Sequence, residues 1–235
     1  MTHPKATVLL TRPRPQAERF AATLATKAPV VISPILSIVP RALHIDLADY
    51  SGVILTSENA ARVLAGLADV AQMPAWCVGD HTAQVAAELG MNPKSAGGNA
   101  SDLVEMLLGQ RPKGVLLHAR GAKSRGDVVQ KLADGGIAAT ARVVYDQVET
   151  ALTDQARALL AGPGPVVLPL FSPRSARLLG DAAQATKAPL AIAALSPAVL
   201  RAWTGPKPKT FTVANHPDAA HMTQAVATIL TDLSA

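Results

Sequence analysis

One cysteine in 235 residues rules out an internal disulfide, and Cys77 lies in an apolar run, where it reads as a small buried hydrophobe of a reducing compartment. Aromatic residues make up only 3% of the chain and no block of Lys and Arg reaches five, so base stacking and a polybasic track, the usual means of holding nucleic acid, are both missing. Eighteen apolar residues never run together, and Met1-Thr2-His3-Pro4-Lys5 leads into too few apolar residues for a signal peptide. A soluble, cytoplasmic protein without membrane or nucleic-acid partners is expected. The familiar catalytic signatures GxGxxG, Walker A, GxSxG, HExxH and CxxC do not occur. His118 sits in an apolar run, as a core histidine would, and His81, read as exposed, has no Cys or Glu spaced for a metal. A metal site is not expected.

Hydrophobic residues, by contrast, reach 49%, and with so few aromatics the core must be built from Ala, Val, Leu and Ile, which suits parallel sheets covered by Ala-rich helices. The net charge of +5 favours a small anionic ligand.

The chain also repeats itself. Val53-Ile54-Leu55-Thr56-Ser57-Glu58-Asn59-Ala60-Ala61 returns as Val166-Val167-Leu168-Pro169-Leu170-Phe171-Ser172-Pro173-Arg174-Ser175-Ala176, each an apolar strand that breaks at a Ser and continues as a helix. Ala75 to Ala83 finds its counterpart in Ile192 to Leu200 at nearly the same offset of about 115 positions. Gly114 to Arg120 resembles Ala6 to Arg12, so the two halves are circularly permuted relative to each other. One five-strand α/β domain inserted into another produces that order. Residues 1–36 and 149–235 then form a discontinuous first lobe, 41–142 an inserted second lobe, and 37–40 and 143–148 two linker strands joining them. Ile137 to Thr140 reads as a strand of the second lobe, Arg142 to Gln147 as a separate return strand able to pair with Ile35 to Val39, and Arg125 to Ala133 as a helix; in the first lobe, one helix through Ala17, Phe20, Ala21 and Leu24 reads as ending near Lys27 and another as running from Pro197 to Trp203.

Open parallel sheets bind ligands outside the carboxyl ends of their strands, and Thr11, Ser57, Ser172 and Ser196 all fall at strand-to-helix turns. Helix starts carry free N–H groups and a partial positive charge, so several of them together can bind carboxylates without many arginines. Capping accounts for each Ser singly, most simply at Ser172-Pro173 and Ser196-Pro197; the recurrence is what points to a ligand. Arg12, Arg120 and Arg174 also follow strand ends, where each is either a carboxylate contact or a solvated surface residue.

In the order and spacing of its motifs the chain resembles the uroporphyrinogen-III synthases. The matching pieces are Leu10-Thr11-Arg12-Pro13, Ile54 to Ala60, Val78-Gly79-Asp80-His81-Thr82-Ala83, Gly98-Asn99-Ala100, Val144-Tyr145 and Phe171 to Ala176. The resemblance implies a monomeric lyase with two flavodoxin-like parallel-sheet lobes, the second inserted into the first and joined to it by a two-stranded β ladder. It implies cyclisation of hydroxymethylbilane, a linear tetrapyrrole with acetate and propionate on every ring, with inversion of the last ring and loss of water, and it implies no cofactor. Hydroxymethylbilane synthase would hand that substrate over. It also carries Pro13, Asn59, Gly79 and Thr82 into the substrate-binding set and makes Tyr145 the proton donor, a role open to a phenol with a reference pKa near ~10. One departure stands at Leu195-Ser196-Pro197-Ala198-Val199-Leu200, where the family pattern has Gly and Thr: Ser196 can offer a hydroxyl, but Val199 has no polar group.

A non-catalytic two-lobed binding protein for a small anion is the rival reading, since it needs the same strand-end donors. Under either reading attraction for the ligand is partly long-range and is screened by salt. Apparent affinity should therefore fall between low and high ionic strength, and an affinity that does not change would rule out electrostatics as a main contributor.

Overall fold

The computed structural model describes residues 5–123 and 127–234, which fall into two compact units, one within residues 5–37 and 149–234 and the other within residues 38–148. The chain passes from one to the other after Ser37 and back after Val148. Among the described residues no helix is long and apolar enough to cross a membrane.

The elements of unit 1 are β1 (Thr7–Leu10), α1 (Arg14–Thr23), β2 (Val30–Ile32), α6 (Asp154–Ala161), β9 (Val166–Leu170), α7 (Pro173–Ala182), β10 (Leu190–Ala194), α8 (Pro197–Arg201), β11 (Thr210–Val213) and α9 (Ala219–Asp232). The strands are parallel and lie in the order β2-β1-β9-β10-β11. That is the 2-1-3-4-5 order of flavodoxin-like sheets. Strand side chains alternate between faces. Leu9, Leu168 and Ile192 therefore pack on α6, α7 and α8, while Val8, Val167 and Ala191 pack on α1 and α9.

The elements between them are β3 (Leu36–Pro40), a 3-10 turn at Leu47–Asp49, β4 (Gly52–Leu55), α2 (Glu58–Leu67), β5 (Pro74–Cys77), α3 (Asp80–Glu88), β6 (Asn92–Ser95), α4 (Ala100–Gln110), β7 (Leu116–Gly121), α5 (Val128–Asp134) and β8 (Ala139–Glu149). The sheet order is β3-β8-β7-β4-β5-β6. Counted from β7, the run β8-β7-β4-β5-β6 is again 2-1-3-4-5, so the permuted repeat is realised in three dimensions. Even the register agrees: Val8 lies opposite Val167 in one sheet, and its counterpart Leu116 lies opposite Gly52 in the other. Val53, Leu55 and Cys77 face α2 and α3, and Ile54, Trp76 and Leu116 face α4 and α5.

Three local expectations are corrected. The strands expected at Ile137 to Thr140 and at Arg142 to Gln147 are replaced by the single eleven-residue β8 (Ala139–Glu149), because nothing from Ala139 onward breaks an extended chain already laddered on β7. Ile137 itself stays outside the strand and fills the core between α4 and α5. Helix α1 ends at Thr23 rather than near Lys27, where Leu24 turns to extended geometry and packs into the core beside α9. Helix α8 closes at Arg201, two residues short of Trp203, whose indole N–H donates to the Pro206 carbonyl instead. The expected start of the helix near Arg125 falls outside the described residues, which resume before Val128.

Cys77 is fully buried, and that burial pushes its thiol up to about 12. His118, at 3% exposure, has its Nε2 3.4 Å from Thr56 Oγ1, and burial together with the nearby Arg120 guanidinium pushes its pKa down to about 4. The unfolded chain binds a proton here near pH ~6.5 while the folded chain resists until far lower. Stability must therefore fall as pH drops through that window, by ~2 kcal/mol between pH 7 and 5 from this ring alone. Urea titrations at the two pH values should show a smaller acid loss for His118→Gln than for the parent; equal losses would mean that the buried ring is charged.

Candidate functional site

A buried parallel strand ends where the chain turns into its crossover helix, and the helix must then satisfy its first N–H groups. In unit 1, β1, β9 and β10 are consecutive neighbours, so their carboxyl ends bring Thr11, Arg12 and Pro13 together with Ser172, Arg174 and Ser196 along one edge of the sheet. Thr11 is 2% exposed and its carbonyl accepts from Ile35 N–H. The Arg12 guanidinium lies 4.1 Å from the centre of the Phe171 ring, which Phe20 braces edge-on at 4.9 Å. Stacking on an aromatic face fixes the plane of a guanidinium, whose fork of N–H donors matches the geometry of a carboxylate. Arg174 reaches Glu149 at 3.3 Å.

Both serines here act as caps. Ser172 Oγ accepts from Ser175 N–H at 3.1 Å and donates to Ser175 Oγ at 2.8 Å, and Ser196 Oγ accepts from Val199 N–H at 3.4 Å. Pro13 stands at the N-cap of α1, where no side chain caps the helix.

In unit 2 the neighbours β8, β7, β4 and β5 bring together Tyr145, Arg120, Ser57 with Asn59, and Gly79 with Thr82. Ser57 caps α2 by accepting from Asn59 N–H at 3.1 Å, and the Tyr145 hydroxyl lies 3.5 Å from the same Oγ. Tyr145 is 5% exposed and its ring lies against Gly121, where a Cβ would come within 2.7 Å of two ring carbons. Arg120 Nη1 donates to the Gly121 carbonyl at 3.3 Å. Gly79 begins α3 without a side-chain cap, so the first N–H groups of α3 have no hydroxyl or carboxylate of the N-cap residue on them. Thr82 is buried at 7% exposure.

Sequence reasoning misses two features. Phe171 enters it only as the residue before Ser172, although it is one of three Phe in the chain and the platform for Arg12. Glu58 enters it only as part of a strand-to-helix motif; its carboxylate is 9% exposed and its Oε2 lies 3.2 Å from Nε2 of His81, a residue expected to be simply exposed. The spacing of twenty-three positions hides such a pair, because a helix and a strand intervene. Among the described residues no group of three or more His, Cys, Asp or Glu is placed to hold a metal ion. A recess of about 1010 Å³ at the opposite end of the unit 1 sheet, lined by Lys5, Lys27, Leu230 and Ser234 among others, contains none of the strand-end groups.

The family model described as uroporphyrinogen-III synthase HemD matches residues 19–224. No curated protein matches the chain. Among solved structures, uroporphyrinogen-III synthetase from Helicobacter pylori is similar with a TM-score of 0.68 at 14% identity, over 96% of this chain and 99% of that one. A mutant uroporphyrinogen III synthase from the extremely thermophilic bacterium Thermus thermophilus gives 0.50 at 17% identity, over 97% and 99%. Identities this low speak for the fold alone, whereas the family match runs from inside α1 to inside α9. The chain belongs to the uroporphyrinogen-III synthase family.

Proposed function

We propose that this chain is a lyase that closes hydroxymethylbilane to uroporphyrinogen III, inverting the last pyrrole ring and releasing water, as a step of tetrapyrrole biosynthesis. The observation that carries this reading is the family match over residues 19–224 on a chain whose two sheets repeat one strand order. The chemistry fits the groups available. Hydroxymethylbilane closes unaided to the symmetric isomer, so a protein has to favour attack at the substituted carbon of the last ring, which is first a matter of conformation. Carboxylates on every ring give a protein many handles. Thr11, Arg12, Pro13, Ser172, Arg174 and Ser196 in unit 1, and Ser57, Asn59, Gly79, Thr82 and Arg120 in unit 2, are the proposed binding residues. Uncapped starts of α1 and α3 support direct binding by backbone N–H, while the serines serve first as caps. Single substitutions among these hydroxyls should slow closure only modestly, because no one of them holds the substrate alone.

Tyr145 is the proposed proton donor to the departing hydroxyl. Its support is position: the phenol lies beside Ser57 Oγ at the carboxyl edge, on a ring fixed by Gly121. The protein is further proposed to work as a cytoplasmic monomer, receiving its substrate from hydroxymethylbilane synthase.

Hydroxymethylbilane generated in situ, followed by oxidation and chromatographic separation of isomers I and III, tests the reaction. Isomer III in excess over a control without protein is expected; isomer I alone, from folded protein, would favour the binding-protein reading. In the same assay Tyr145→Phe should fold normally and lose about tenfold in turnover, below the usual range of general-acid contributions since water can supply a proton. Full turnover by that variant would remove Tyr145 from the role.

A further inference from the structure

The Glu58 and His81 pair has more structure than a helix start requires. A carboxylate in the first turn of α2 gains from the helix dipole while fully solvated, so capping does not call for its burial. Burying it costs several kcal/mol unless partners compensate. Here the carboxylate is 9% exposed and its Oε2 meets Nε2 of His81 at 3.2 Å, while the charge of Arg62 in the next turn stands 3.9 Å from the same oxygen, beyond hydrogen-bond length. The imidazole is held on its Nε2 edge by a largely buried anion, and its side chain is still 46% exposed. It is the second residue of α3, just past the end of β5, and β5 lies next to β4, whose end carries Ser57.

We propose that His81, fixed by Glu58, binds a carboxylate of the substrate. Nε2–H donates to Glu58, and Nδ1–H of the protonated ring donates to an acetate or propionate oxygen. This rests on the synthase reading and adds to it a binding residue that the strand-end serine motif does not contain. The charged surroundings fit. On α2, Glu58 meets the ring and Arg62 stands 3.9 Å from the same carboxylate oxygen, while Lys94 of β6 is bonded to Gln110. On the ring's own helix, Asp80 has one carboxylate oxygen engaged by Ser95 Oγ at 2.6 Å.

The test is the steady-state rate of isomer III formation from hydroxymethylbilane generated in situ, with kcat and KM measured for the parent, His81→Gln and Glu58→Gln, and folding checked by circular dichroism. His81→Gln should raise KM about tenfold, which is about 1.4 kcal/mol, and leave kcat within about twofold. Glu58→Gln, which keeps the imidazole but removes the anion that fixes it, should raise KM in the same direction by a smaller factor, about threefold. A His81→Gln protein with the parent's KM, whether or not its kcat is lower, overturns the proposal while leaving the synthase reading intact. If the parent itself makes no isomer III, the synthase reading falls and the proposal with it. Should Glu58→Gln fail to fold, the exposed position His81 decides alone.

Discussion

Both sheets are covered on both faces, and this constraint governs where polarity can go. Val8, Leu9 and Leu10 in one sheet, and Val53, Ile54 and Leu55 in the other, have no exposed surface at all, so no side chain along these strands can carry a charge without a large desolvation cost. Polar groups are displaced to the strand ends. Of the buried polar residues, Thr11 and Ser33 directly follow β1 and β2, Glu58 and Thr82 lie in the first turns of α2 and α3, and His118 lies within β7 a few residues from its end. A site at the carboxyl edges is thus a product of how completely the rest of each sheet is sealed.

At those edges a hydroxyl has two possible uses, the helix it begins and a ligand. Ser57, Ser172 and Ser196 all serve the helix first. A cap at ordinary strength is worth ~1 kcal/mol to the fold, comparable with what one hydrogen bond gives a substrate, and a hydroxyl oxygen that accepts one N–H still has a second lone pair. Capping and binding are therefore compatible in one residue, and the sequence-level choice between them is a false one in geometry. What differs between positions is the helix that lacks a cap, as at Gly79 and Pro13.

The fold class was legible because apolar runs of strand length, each followed by small residues at helical spacing, leave few alternatives to parallel α/β units, and because the repeat of Val53 to Ala61 in Val166 to Ala176 tied two such sets together. The permutation was legible for the same reason, from Gly114 to Arg120 echoing Ala6 to Arg12. Less legible was continuity: Thr140-Ala141-Arg142 has neither Gly nor Pro and no strong strand signal, so only pairing with β7 shows that β8 is a single strand. In the site, chain-adjacent groups such as Thr11 with Arg12 could be read directly. Contacts made across crossovers could not: the Arg12 guanidinium on Phe171 and the Glu58 carboxylate on His81 depend on which strands are neighbours, and that order is set by tertiary packing.

The sealing of the sheets has also silenced the chain's only thiol. With Cys77 fully buried and pushed up to about 12, the thiolate is on the order of one molecule in 10⁵ at neutral pH. Alkylating reagents and mild oxidants act on the thiolate, so they find almost nothing to attack while the fold persists. For an enzyme whose products are read out only after deliberate oxidation, the catalyst can stay in the tube without cross-linking to itself, and a cysteine placed by design at an exposed position becomes the single site that a dye or spin label will find.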